Sequence, residues 1–134
     1  MKVLLFLLIP VLVVAGCTSK TSRSKEHLNK GIIEMYESRF DAAINHFKQA
    51  IELDPESYEA YFQYGNCLYT TGKHQEAMQA YDQTVSLNPS FADAYYNRGL
   101  LKEMFGDKEG ACIDYKKAEE LGKPNVSDKT RFCF

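Results

Sequence analysis

Four cysteines and three histidines carry most of the reactive chemistry in this 134-residue sequence. Cys17 follows the apolar run Val3 to Val14 and the small pair Ala15-Gly16, and a thiolate there can accept a lipid group. His27, His46 and His74 fall in no H-E-x-x-H pattern, and none has a cysteine or second histidine at metal-ligand spacing along the chain. No metal and no cofactor is expected, and His74 reads as a packing or surface residue. Cys67 and Cys112 read as small buried hydrophobes. Only Cys112 and Cys133 form a pair that a folded-back tail brings within reach, and the sequence leaves open whether they join. Asp and Glu number 18, and they read as solvated helix faces with no isolated apolar pair. Patterns for a nucleophilic serine elbow, a phosphate-cradling loop and a dinucleotide fingerprint are all missing, so an enzyme and a small-molecule substrate are not expected. Lys and Arg together number 16, a net charge of −2, which excludes binding to nucleic acid through a strong basic excess.

The elements that hold these residues begin with a leader. Lys2, the apolar run and the small residues before Cys17 have the three parts of a secretory signal peptide. A twelve-residue run containing Pro10 is short of the roughly 20 residues that a spanning helix needs. Val14-Ala15-Gly16-Cys17 resembles the lipobox of bacterial lipoproteins, which implies cleavage after residue 16 and acylation of Cys17. The lipid bilayer is then one partner, since each buried methylene contributes about 0.8 kcal/mol. Residues 17–23 are expected as the lipidated cysteine and a tether. The tract Thr18 to Lys25 holds no apolar residue, and eight extended residues reach roughly 28 Å. Thr18 and Ser19 resemble outer-membrane sorting, which implies the periplasmic side of the outer membrane if the host is Gram-negative.

Residues 24–122 repeat a single unit, over 24–57, 58–91 and 92–122. Gly31, Gly65 and Gly99 are spaced by 34 residues, as are Ala43, Ala77 and Ala111, and Leu53, Leu87 and Leu121. Phe47, Tyr81 and Tyr115 keep an aromatic in register, and the pairs Pro55/Pro89 and Gly72/Gly106 hold the same interval. Each copy reads as two helices. In the second, Tyr58 to Thr71 and His74 to Leu87 are separated by Gly72-Lys73, and Ala77, Tyr81, Thr84 and Val85 share one helical face. The glycines suit helix C-termini and the prolines stop the second helices. Ser90 and Asp93 have the spacing of a capping box. Small residues at the Gly and Ala columns let helices approach to about 8–10 Å, with the aromatic column expected on the outer side of the gap.

Ala92-Asp93-Ala94-Tyr95-Tyr96-Asn97-Arg98-Gly99, followed by Gly106-Asp107 and Ala111, resembles a tetratricopeptide repeat, as does Glu59-Ala60-Tyr61 through Asn88-Pro89. The resemblance covers residues 24–122 and implies an all-α, right-handed solenoid of three helix-turn-helix units. His27, Lys30 and Glu34 stand where the family places apolar residues, which implies loose packing of the first helix. Residues 123–134 are left as a tail, with Phe132 and Phe134 expected to cover the last helix.

The resemblance also implies where a partner binds. Leu28, Ile32 and Met35, then Phe62, Asn66 and Tyr69, then Tyr96, Leu100 and Glu103 occupy the face that lines the inner groove of such proteins. Only Asn66 matches the family's clamp for a C-terminal carboxylate, so an apolar, aromatic groove for a peptide or helix of another envelope protein is expected. Asn66 is expected to bond the ligand backbone in both directions. The function implied is a membrane-anchored, non-enzymatic scaffold or adaptor of the bacterial cell envelope. The alternative is a self-associating structural envelope lipoprotein.

Overall fold

The computed structural model describes residues 8–131 and 133, with side chains from residue 19 onward. Among these residues the chain is all α: α1 (Leu8–Tyr36), α2 (Phe40–Leu53), α3 (Tyr58–Thr70), α4 (His74–Leu87), α5 (Ala92–Met104), α6 (Lys108–Glu120) and a short α7 (Ser127–Thr130). It divides into two units, the first ending at Glu56 and the second beginning at Ser57. The signal peptide 1–16, Cys17 and the expected cap residues Phe132 and Phe134 lie outside the described side chains.

The first unit is one helical hairpin, α1 against α2. α1 does not wait for residue 24. Its helix runs through the expected tether, where each residue rises about 1.5 Å rather than the extended 3.5 Å. No proline falls between Thr18 and Lys25 to break it. Ser24 is buried and donates to the Ala50 carbonyl at 2.8 Å, so contact between the two helices begins where the repeat begins. The polar residues of the first helix are absorbed locally: Lys30 pairs with Glu26, and Glu34 with Arg39.

The second unit holds two hairpins, α3–α4 and α5–α6, followed by the tail. In all three hairpins the aromatic column lies against the glycine column and not outside it. A Cβ at Gly31, Gly65 or Gly99 would lie 2.6–2.7 Å from the ring of Phe47, Tyr81 or Tyr115, and all three rings are buried. The glycine exists to admit the ring. Ala43, Ala77 and Ala111 are buried beside it.

Helix ends follow the backbone chemistry of the repeats. Gly72, Gly106 and Gly122 take φ of +77°, +86° and +86°, and the next residue's N–H returns to the helix: Lys73 to Leu68, Asp107 to Lys102, Lys123 to Ala118. Ser38 holds the same place in the first hairpin at φ +60°. The capping box at Ser90 does not form. Phe91 is the N-cap of α5, the Ser90 N–H bonds the Asn88 side chain, and Asp93 pairs with Lys123.

One carboxylate contradicts the expectation of solvated acids. Asp114 is 1% exposed and takes a bidentate bond from Arg98 (2.6 and 2.8 Å) and a third from Lys102 (2.9 Å). Arg98 also reaches Asp82, so the network joins α4, α5 and α6. Its guanidinium is held above its ordinary pKa by the Asp114 hydrogen bonds.

Cys112 and Cys133 are joined as a disulfide, with Cα atoms 5.4 Å apart. The tail then lies on the last hairpin. Val126 is 1% exposed against Ala111 and Tyr115, with Tyr96 and Leu100 packed beside them. Cys133 stands 34 residues after Gly99, so α7 holds the register of a fourth unit's first helix. Cys67 is a buried thiol.

Two outcomes test this packing. Ala77→Leu overpacks a residue with no exposure and is expected to cost about 1–3 kcal/mol in urea unfolding, while Lys73→Ala changes it by less than about 0.5 kcal/mol. Cys133→Ser opens a loop of 21 residues and is expected to lower stability by about 3 kcal/mol. An unchanged urea midpoint in the second variant would show that the tail is not held by its disulfide.

Candidate functional site

The nine candidate groove residues fall into three settings. In the first unit, Leu28, Ile32 and Met35 are half-buried on one face of α1. Their helical spacing keeps them together, and they supply an apolar stripe without a polar group.

In the second unit, α3 and α5 bring Asn66, Tyr69 and Leu100 to a cleft of about 320 Å³, together with Thr70, Tyr81 and Asn97. Its polar floor is a three-residue cluster. The Asn66 side-chain carbonyl accepts from the Tyr81 hydroxyl at 2.9 Å and from the Asn97 amide at 3.0 Å. Asn66 therefore does not offer a ligand both hydrogen-bonding directions, because its acceptor is taken inside the chain. Its amide reaches Gln63 at 3.4 Å, a long contact, and remains the donor side. Burial raises the Tyr81 phenol above its ordinary pKa, so it stays a protonated donor to Asn66. The Tyr69 ring lies 5.4 Å from the His74 ring and is half-buried at the edge of the cleft. The packing role expected for His74 matches that contact.

Phe62 is placed differently. It meets Phe91 edge-on at 4.8 Å and Tyr81 at 6.0 Å, so its face of α3 serves the α3–α5 junction more than the cleft. Spacing alone could not separate it from Tyr69, since both lie on one helical face.

Tyr96 and Glu103 line a second, larger hollow of about 600 Å³, with Lys108, Tyr115, Asn125 and Lys129 among its walls. The tail builds this hollow. Lys123 sits 5.0 Å from the centre of the Tyr96 ring, and Lys129 bonds Glu103 at 2.8 Å. Tyr115 donates to Glu103 at 2.6 Å. Hydrogen bonds from Lys129 and Tyr115 hold Glu103 below the usual carboxylate range, while burial and then Glu103 push the Tyr115 phenol up. Glu103 is thus engaged by its own chain.

Sequence reasoning missed Asn97, Thr70 and Tyr81 as cleft residues. A usable signal existed for Asn97, which stands three residues before Leu100 and so shares its face of α5. For Tyr81 the signal pointed to packing, which is also correct, and only its hydroxyl belongs to the cleft. Among the described residues no group of three or more His, Cys, Asp or Glu is placed to hold a metal, and no helix is long and apolar enough to cross a membrane.

The fold is shared with solved structures of other tetratricopeptide domains. It matches the first tetratricopeptide domain of Spaghetti (RPAP3) bound to the HSP90 peptide SRMEEVD, with a TM-score of 0.78 and 21% identity over 83% of this chain and 90% of that one. MamA is 31% identical, with a TM-score of 0.72 over 75% of this chain and 59% of that chain. In sequence, the UDP-N-acetylglucosamine–peptide N-acetylglucosaminyltransferase of Giardia intestinalis is 32% identical over 102 residues, 76% of this chain. The match spans only 7% of that enzyme's length. Tetratricopeptide-repeat family models match residues 28–89 and 92–121. The chain belongs to the tetratricopeptide-repeat family.

Proposed function

We propose that this protein is a lipid-anchored, non-enzymatic adaptor of the bacterial cell envelope that holds a peptide segment or helix of another envelope protein. The observation that carries the binding role is the cleft of Asn66, Tyr69, Asn97 and Leu100. It combines an aromatic edge and an aliphatic wall with amide groups fixed by internal hydrogen bonds. A peptide backbone needs such fixed amides, and an apolar side chain needs the wall. The tetratricopeptide fold is typically a protein-interaction scaffold, and one fold neighbour binds a peptide of HSP90. The carboxylate-clamp mode is not favoured here, since Leu28, Tyr96 and Leu100 supply no cation.

The anchor rests on the leader and on Cys17. The Cys112–Cys133 disulfide supports export, because reducing compartments keep such pairs open. The outer membrane, periplasmic side, is the location proposed for a Gram-negative host. Self-association is the second reading, favoured by Phe105 and Ile113, which are 50% and 63% exposed. Sedimentation of the chain in detergent separates the two, since only self-association requires a dimer without another protein.

Two substitutions test the proposal. Tyr69→Ala is expected to lower co-purification of the envelope partner about tenfold or more, while circular dichroism keeps the parent's helix content. Undiminished recovery, or loss in step with helix, would remove the cleft from the function. Cys17→Ser is expected to move the protein out of the membrane fraction and leave its leader uncut. A cleaved Cys17→Ser protein that stays with the membrane would refute the lipid anchor.

A further inference from the structure

The segment after α6 is held on the last hairpin by few contacts, and one of them is covalent. α7 has four residues, too few to form a helix alone, and its N-cap Val126 gives it no side-chain bond. Among the described residues from 123 to 133, Val126 is the buried side chain, at 1% exposure. The ion pairs Lys129–Glu103 and Lys123–Asp93 lie on partly exposed side chains, where such pairs contribute little. One apolar side chain and two such pairs do not offset the freedom that this segment loses on ordering. The Cys112–Cys133 bond makes up the difference, because it removes much of that freedom before the tail docks.

What the tail covers is the groove face of the third hairpin. Tyr96, Leu100 and Glu103 stand 34 residues after Phe62, Asn66 and Tyr69. Val126 packs with Ala111 and Tyr115, with Tyr96 and Leu100 beside them, and Lys129 bonds Glu103. Leu100 is also a wall of the Asn66 cleft. One side chain thus borders both the tail's contact and the cleft. It lies three residues along α5 from Asn97, whose amide donates to Asn66.

The bond is open to chemistry. Cys112 and Cys133 are both half-buried, and Cys112 lines the hollow of about 600 Å³, so a thiol reaches it from solvent.

We propose that Cys112–Cys133 is a redox latch: closed, it keeps the tail on the third hairpin, and opened, it releases the tail and loosens the Leu100 wall of the cleft. A dithiol is the reductant. One of its thiolates attacks a sulfur of the bond, which forms a mixed disulfide and frees the other cysteine. Its second thiol then displaces the remaining cysteine. Two electrons and two protons pass to the Cys112 and Cys133 sulfurs, and the dithiol leaves as a disulfide. Control of binding by the latch rests on the cleft being the ligand site; release of the tail does not.

Trypsin digestion and NMR of the full chain in detergent, before and after dithiothreitol, test the latch. Trypsin does not cut after Lys123, which precedes Pro124, so Lys129 and Arg131 report on the tail. Reduction is expected to speed cleavage there at least tenfold, while the sites at Arg98 and Lys102 stay protected and circular dichroism keeps the parent's helix content. The Leu100 methyl and Asn97 side-chain amide signals are expected to shift on reduction. Cys133→Ser is expected to show the open pattern with or without dithiothreitol. Unchanged protection of Lys129 and Arg131 in the reduced parent overturns the latch. So does a Leu100 signal that stays in place, or a Cys133→Ser chain that still responds to the reductant. Cleavage at Arg98 in step with the tail overturns it as well, since the bond would then staple the whole unit. No ligand enters these measurements, so failure of the latch is distinguishable from failure of the cleft as a binding site.

Discussion

Each hairpin depends on one contact: a glycine of the first helix against an aromatic ring of the second. At Gly31, Gly65 and Gly99 even a methyl group would sit 2.6–2.7 Å from the ring. Interiors have no slack of that size, so a side chain there would force the helices apart. The ring in turn takes the volume that the missing side chain leaves, and Phe47, Tyr81 and Tyr115 are at most 2% exposed. Everything else in a hairpin follows from this spacing. The alanine column can be small because the helices are already close, and the left-handed residue at Ser38, Gly72 and Gly106 turns the chain so that the ring meets its glycine.

The same rings connect packing to the sites. Tyr81 and Tyr115 replace Phe47's bare edge with a hydroxyl at the mouth of the gap. Tyr81 uses it to hold Asn66, and Tyr115 uses it to hold Glu103. A residue selected for the core thereby fixes a polar group at the cleft or hollow it borders. Fixed amides lose less entropy on binding than free ones, which favours recognition of a peptide backbone.

The variable positions, not the repeated ones, distinguish the three copies. Between the hairpin helices the first copy has the imidazoles of His27 and His46, the second Tyr61 and Ala80, and the third the Arg98–Asp114–Lys102 cluster. A buried carboxylate is tolerable there because two cations and three close contacts replace its water. Beyond the third copy the next residues lie on its last hairpin: Val126 fills a core position, and Cys133 is covalently joined to Cys112.

The period, the limits of α3 and α4 to within a residue, and the column of glycines were legible in the sequence. These are local properties: a 34-residue repeat, a backbone that tolerates positive φ, and prolines that exclude helix before them. The groove face was legible only as a set of spaced residues, because helical periodicity says which side chains share a face but not what they meet. Meeting is decided between elements that the chain brings together over longer separations. Asn66 finds Asn97 over 31 residues, Cys112 finds Cys133 over 21, His27 finds His46 over 19, and Arg98 finds Asp114 over 16. None of these pairs has a linear signature, since each rests on the rotation and depth of two packed helices. That rotation is set by how the rings seat on the glycines, which only the folded chain defines.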